Sequence, residues 1–257
     1  MAENIRLEEL RRLCDVAAGR CKADIVIKNA RWLDVFNARL EEGDIAICGG
    51  KIAGTGSYEG EADYDFAGKV VTPGLIDGHM HIESTQLSPE EFAALAVPHG
   101  TTLVIADPHE IVNVCGLAGA DYIRRAAART PLEVKLMLPS CVPATPFETS
   151  GAVIDSFETS AALRSSNFFG LGEMMNYPAV AAGDGEVLKK VVAARLEDKL
   201  IDGHAPAMSG KDLNAYVGAG IYTDHECDTA EEAAEKVSRG MYVLLLSLIH
   251  ISEPTRH

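Results

Sequence analysis

No two of the six cysteines (Cys14, Cys21, Cys48, Cys115, Cys141 and Cys227) form a C-x-x-C pair. Scattered thiols of this kind suit a reducing, cytoplasmic setting. Long apolar runs are missing as well: none reaches the ~18 residues that a membrane span needs, so no membrane partner is expected. Basic charge is scarce, with 23 Lys and Arg against 38 Asp and Glu and a net charge of −15. A nucleic-acid surface needs a concentrated basic patch, and this balance argues against one. Gly54-x-Gly56 lacks the third glycine and the following helix of a dinucleotide loop, and that reading is dismissed. A secretory leader is not expected either. Residues Arg6 to Arg20 mix charges with Leu7, Leu10, Leu13 and Val16 at helical spacing, which predicts an amphipathic N-terminal helix within residues 1–22.

What is present is enough apolar material for a sizeable core: 47% of 257 residues are hydrophobic and 24% charged, which fits one large α/β barrel or two modest domains. Ala23 to Gly60 holds short β-type runs joined by Gly, Asn and Asp, with Gly49-Gly50 as a hairpin turn. The segment 23–72 is therefore expected to form a small β-domain. From Val70 the pattern becomes strand, loop, helix, repeated. The strand candidates are Leu75–His81, Thr101–Ala106, Leu132–Leu138, Phe168–Met174, Leu200–His204, Ile221–His225 and Met241–Leu246. Helical stretches lie between them at Pro89–Val97, Ala118–Arg129, Ser160–Ser165, Glu186–Lys199 and Ala230–Arg239. Repeated βα units imply a parallel sheet, either doubly wound or closed into a barrel. The candidates number one fewer than a closed eight-stranded barrel requires.

The chemistry concentrates in VVTPGLIDGHMHIEST (Val70 to Thr85), where His79 and His81 stand two residues apart on a strand. Residues i and i+2 share a face, so both imidazoles project the same way, a natural start to a metal site. Alone, such a pair is an even bet. In a barrel, however, functional groups gather at the carboxyl ends of the strands. Those ends carry Asp107, His109 and Glu110 after the second strand, Glu173 on the fourth, His204 on the fifth, and Asp224, His225 and Glu226 on the sixth. Each has a blander explanation. His204 could be a turn histidine, Glu173 a cap, and Asp224 and Glu226 a solvated acidic face. His99, in a loop-like PHG, is set aside as a helix-end residue.

Taken together, VVTPGLIDGHMHIEST, PHGTTLVIADPHEIVNVCG, PSCVPATPFETSGA, GLGEMMNYP, IDGHAP and YTDHE resemble the bacterial adenine deaminase family, within the amidohydrolase superfamily. The resemblance runs from about Ala23 to about Val243. It implies a TIM-like (β/α)8 amidohydrolase barrel flanked by a β-sandwich domain, here an incomplete barrel over residues 73–246 with part of the sandwich. It further implies a binuclear divalent metal centre, manganese or iron, with zinc also admissible. His79, His81, His204 and His225 match its histidine ligands and Glu173 its bridging carboxylate; Asp107, His109 and Glu110 match a motif at the mouth of the site. The implied substrate is a small purine, adenine, converted to hypoxanthine and ammonia, and family members often form homodimers. The other route to base deamination, a single zinc with an H-x-E…P-C-x-x-C signature, is excluded by the missing C-x-x-C. The resemblance stops near Leu244. The expectation is thus a truncated chain with a non-family tail over 247–257, lacking the aspartate that family members carry on the eighth strand. Two readings remain beside the leading one: another amidohydrolase acting on a cyclic amide or amidine, and a catalytically inert metal-binding fragment.

Overall fold

The computed structural model describes residues 7–145, 147–165 and 167–246. The first six residues of the expected helical segment and the expected tail over 247–257 lie outside the described residues. The chain divides into two compact units on either side of Pro73–Gly74.

The first unit holds α1 (Leu7–Ala17) and strands β1 (Ala23–Asp34), β2 (Arg39–Cys48), β3 (Lys51–Gly56), β4 (Gly60–Asp65) and β5 (Val70–Val71). They form one mixed sheet: β1, β2 and β3 are antiparallel neighbours, and β4 and β5 run parallel to β1. Gly49 and Gly50 make the β2–β3 turn with φ of 58° and 74°, the left-handed region where a Cβ costs most. Of the helical stripe in α1, Leu13 and Val16 pack with Val26, Ala46 and Cys48, while Leu7 and Leu10 stay exposed.

The second unit alternates strand and helix. It begins with β6 (Leu75–Met80), α2 (Pro89–Ala96), β7 (Thr101–Ala106), α3 (His109–Cys115), α4 (Leu117–Ala127) and β8 (Glu133–Leu138). It continues with α5 (Ser156–Leu163), β9 (Gly170–Met174), α6 (Tyr177–Ala182), α7 (Gly185–Leu196) and β10 (Leu200–Gly203). The last described elements are α8 (Gly210–Gly218), β11 (Thr223–Asp224), α9 (Ala230–Ser238) and β12 (Tyr242–Val243). Side chains fix several helix starts by accepting from orphan amides. Ser88 opens α2, Asp184 opens α7 and Thr229 opens α9. A reciprocal Asp155–Glu158 capping box starts α5 at Ser156 rather than at the expected Ser160. Three helices escape the sequence pattern. The β-branched run of HEIVNVC disguises α3, a proline-led single turn disguises α6, and terminal glycines disguise α8.

Every strand candidate becomes a strand, but in two ladders: β6 to β10 form a five-stranded parallel sheet in sequence order, and β11 pairs with β12. The break between β10 and β11 has a local cause. The Gly203 amide donates to side chains, the Asp202 carboxylate at 3.0 Å and the Thr223 hydroxyl at 2.7 Å, where a ladder would use a carbonyl. The strands still meet closely, since a Cβ on Gly203 would fall 1.9 Å from the Thr223 carbonyl oxygen. The unit is an incomplete α/β barrel of parallel strands. Its core joins Val104, Leu136, Leu138 and Leu171 of the sheet to Leu163, Leu213 and Tyr216 of the helices. On β6, one of the two outermost strands of the five, Leu75 and Ile76 remain 61% and 65% exposed.

A buried ion pair secures the far end of the unit. Lys236 of α9 is fully buried and donates to Asp224 at 2.6 Å, to Glu232 at 2.6 Å and to the Ala205 carbonyl at 2.7 Å. Asp224, also fully buried, accepts from the Ala205 amide at 2.7 Å. Burial alone would raise the Asp224 carboxyl, but the Lys236 ammonium holds it below its ordinary range. Lys236→Met should strip the buried carboxylate of its cation and lower stability by about 3–5 kcal/mol. Urea unfolding checks this, and an unchanged midpoint would show that the pair holds nothing together.

Candidate metal centre

The parallel strands β6 to β10 deliver their carboxyl ends to one side of the sheet. His79 lies on β6 and His81 just past it, Asp107 follows β7, Glu173 lies on β9, His204 follows β10 and His225 follows β11. His109 and Glu110 open α3 directly after Asp107.

These groups converge on the Glu173 carboxylate, which is 5% exposed. Its Oε2 lies 2.8 Å from His225 Nε2, 3.1 Å from His204 Nδ1 and 3.9 Å from His79 Nε2. Its Oε1 lies 3.4 Å from His109 Nδ1 and 3.6 Å from His81 Nε2. The His79 and His225 rings stack with centroids 3.7 Å apart and planes within 18°. Burial would raise the Glu173 carboxyl, but hydrogen bonds to His204 and His225 and the charge of His109 hold it far below the usual range.

The donor set fits a metal. His81 Nδ1 lies 2.7 Å from the Asp107 carbonyl, an acceptor only, so that nitrogen carries the proton and Nε2 faces Glu173 with its lone pair. His79 follows the same rule with the Asp202 carboxylate at 2.8 Å from Nδ1, and its buried Nε2 finds no hydrogen-bond partner. Imidazole lone pairs aimed past a buried carboxylate are the ligands that divalent cations such as Mn²⁺, Fe²⁺ and Zn²⁺ take. His79, Glu173 and His225 offer ligand atoms within 4.8 Å of one another, as do His204, His225 and Glu226, and Asp107, His109 and Glu173.

The remaining expected residues surround this cluster. Asp107, fully buried, accepts from the Glu173 amide at 2.9 Å and lies 3.0 Å from His109 Nδ1. Gly172 makes that possible, because a Cβ there would stand 2.1 Å from Asp107 Oδ2. Glu110 is half-exposed; it accepts from the Ser84 hydroxyl at 2.6 Å and its other oxygen lies 3.9 Å from His81 Nδ1. Beside it, burial and the Glu110 charge raise the Glu83 carboxyl to about 7. His99 stays outside the cluster, bonded to the Leu95 carbonyl at 2.8 Å. Asp224 is not part of a solvated acidic face, since it is fully buried against Lys236.

Sequence reasoning passed over two residues here. Tyr216, fully buried, accepts from the His204 amide at 3.0 Å and donates to the Met174 carbonyl at 3.1 Å, tying the ends of β9 and β10 together. Nothing in its sequence surroundings marks it. Asp202 carried a signal, because it stands two residues before His204 on the same strand face, as His79 does before His81.

The metal-free cluster has a pH signature. Burial would lower the His109 imidazole, but Asp107 and Glu173 push it up to about 9, above the ordinary 6.5. The stabilisation from this cation is complete below about pH 6.5 and fades as pH rises towards 9. His109→Gln should therefore destabilise the metal-free chain more at about pH 6 than at about pH 9. Denaturant titrations at the two pH values check this, and equal losses would refute it.

Comparisons with known proteins follow the same residues. Residues 70–257 match the family model described as the amidohydrolase family. The chain is 56% identical over 238 residues to adenine deaminase 2 of Desulfotalea psychrophila, covering 93% of this chain and 41% of that one. It is 51% identical over 239 residues to the adenine deaminase of Ligilactobacillus salivarius, with the same coverage. The chain thus spans 41% of the length of these relatives. Among solved structures, the L-hydantoinase (dihydropyrimidinase) of Arthrobacter aurescens superposes with a TM-score of 0.60 at 19% identity, covering 86% of this chain and 57% of that one. A D-aminoacylase superposes with a TM-score of 0.61 at 17% identity and the same coverage. These structural likenesses concern the fold; the family match, which takes in every residue of the Glu173 cluster, shows that the chain belongs to the amidohydrolase family.

Proposed function

We propose that this chain carries the metal centre of an adenine deaminase, which hydrolyses adenine to hypoxanthine and ammonia. The observation that supports it most is the two-sided setting of Glu173, with His79, His204 and His225 at one oxygen and His81 and His109 at the other. A buried carboxylate ringed by imidazoles from several strands suits a site for two divalent ions, manganese or iron before zinc. His79, His81, Glu173, His204 and His225 would hold them. The identity of about half to adenine deaminases supports adenine as the substrate. Free thiols at all six cysteines suit a cytoplasmic setting.

Bound divalent ions supply hydroxide near neutral pH by lowering the pKa of water, from 15.7 to about 7 in the best-known zinc case. The protein's own groups must do the rest. As C6 of the purine becomes tetrahedral, N1 takes up a proton, and the departing ammonia needs another. Glu110 is placed to carry both: it is partly open to solvent, held by the Ser84 hydroxyl and beside His81. Asp107 keeps His109 and the Glu173 backbone in place.

Elemental analysis should find two equivalents of Mn or Fe on the purified chain, lost in His79→Ala; absence of bound metal from the wild type would sink the reading. The metal-loaded chain should release ammonia from adenine and not from guanine or isoguanine. Release from one of the other bases would instead identify a different amidohydrolase of cyclic amidines. Glu110→Gln should retain its metal while losing about 10²–10⁴-fold in turnover. A second reading, a metal-binding but inert chain, would hold metal and release no ammonia from any base.

A further inference from the structure

His79 and Asp202 sit on β6 and β10, the two outermost strands of the five-stranded sheet, yet His79 Nδ1 lies 2.8 Å from Asp202 Oδ2. Both side chains are buried, His79 at 4% and Asp202 at 7% exposure. A curled sheet must bring its edges together for this contact, so it is the product of the whole unit and not of a local turn. Asp202 has little freedom to do anything else. Its Oδ1 accepts from the Gly203 amide at 3.0 Å and from the Thr223 hydroxyl of β11. With that oxygen occupied, Oδ2 is left for His79. The carboxylate is acceptor-only when ionised, so the shared proton belongs on His79 Nδ1. This directs the Nε2 lone pair towards Glu173 Oε2, 3.9 Å away, and Nε2 is buried without a hydrogen-bond partner.

We infer that Asp202 is a positioning residue for His79: held by Thr223 and the Gly203 amide, it fixes the tautomer and the ring orientation that present Nε2 as a metal ligand. The inference rests on reading the Glu173 cluster as a metal centre, and it assigns a role to a residue outside that cluster. Carboxylates in such positions raise ligand basicity and prevent ring rotation, and their loss commonly weakens metal binding by 10–100-fold. His81 has a backbone carbonyl in the same position, a weaker acceptor that no substitution can remove. Of these two, His79 is the ligand whose orientation depends on a replaceable side chain.

The test compares the wild-type chain with Asp202→Ala, Asp202→Asn and Thr223→Val, with folding followed by circular dichroism. Manganese affinity is measured by competition with a chelator. The imidazole tautomers of the metal-free proteins are read from long-range ¹H–¹⁵N correlations on the alkaline side of the imidazole titration. Asp202→Ala should weaken manganese binding by about 10–100-fold and shift His79 away from the Nδ1–H tautomer. Asp202→Asn has a single acceptor oxygen, which the Gly203 amide and the Thr223 hydroxyl claim, so its amide nitrogen faces His79 Nδ1 as a donor; this nearly isosteric variant should also move His79 away from the Nδ1–H tautomer and weaken manganese binding. Thr223→Val preserves volume and should produce a smaller loss in the same direction. A folded Asp202→Ala or Thr223→Val variant with wild-type tautomer and affinity would overturn the inference. If the wild type binds none of manganese, iron or zinc, the metal-centre reading fails, while the tautomer shift still decides whether Asp202 sets His79.

Discussion

A carboxylate stripped of water must be neutralised from close by, and Glu173 meets that condition with imidazoles drawn from four other segments of the barrel unit. Placing an anion at the end of β9 is costly unless β6, β10, β11 and the start of α3 all bring their rings to it. The same requirement explains much of the surrounding structure. Asp107 fixes the Glu173 backbone, Tyr216 joins the ends of β9 and β10, and the Lys236–Asp224 pair holds Ala205 beside His204 and anchors the residue before His225. Each device acts on the backbone of Glu173 or on a residue beside one of its imidazoles.

The order of strands and the convergence of the site were legible because both depend on short-range signals. Strands in a βα repeat are compact apolar runs, and parallel topology forces their carboxyl ends to one side, so His79, His81, Glu173, His204 and His225 could be grouped from their positions alone. Less legible was whatever depends on a side chain replacing a backbone partner. The ladder between β10 and β11 is interrupted because Thr223 and Asp202 take the Gly203 amide, an arrangement that no periodicity encodes. Helix α3 was hidden because three of its seven residues, Ile111, Val112 and Val114, are β-branched. There, the tertiary role of presenting His109 and Glu110 outweighs local propensity.

The two glycines at the site show the same limit from the other direction. Gly172 and Gly203 carry no chemistry, yet a methyl group on either would overlap Asp107 or the Thr223 carbonyl. In the sequence they stand inside strand candidates with nothing to mark them. In the structure they are the places where a buried carboxylate and a neighbouring backbone come closest, and their lack of a side chain shapes the site as much as its ligands do.

The groups around Glu173 come from His79 at one extreme of sequence to His225 at the other, with most of the second unit between them. No short stretch of this chain can gather them, so an unfolded or half-formed polypeptide offers a divalent ion only separate local groups such as His79 with His81, Asp107 with His109, or His225 with Glu226. An ion with high affinity for the folded cluster would then act as a cross-link between distant strands, drawing its grip from loops already closed by the fold. Metal capture in this protein would follow assembly of the sheet and then secure it, in contrast to small domains whose folding is nucleated by their ion.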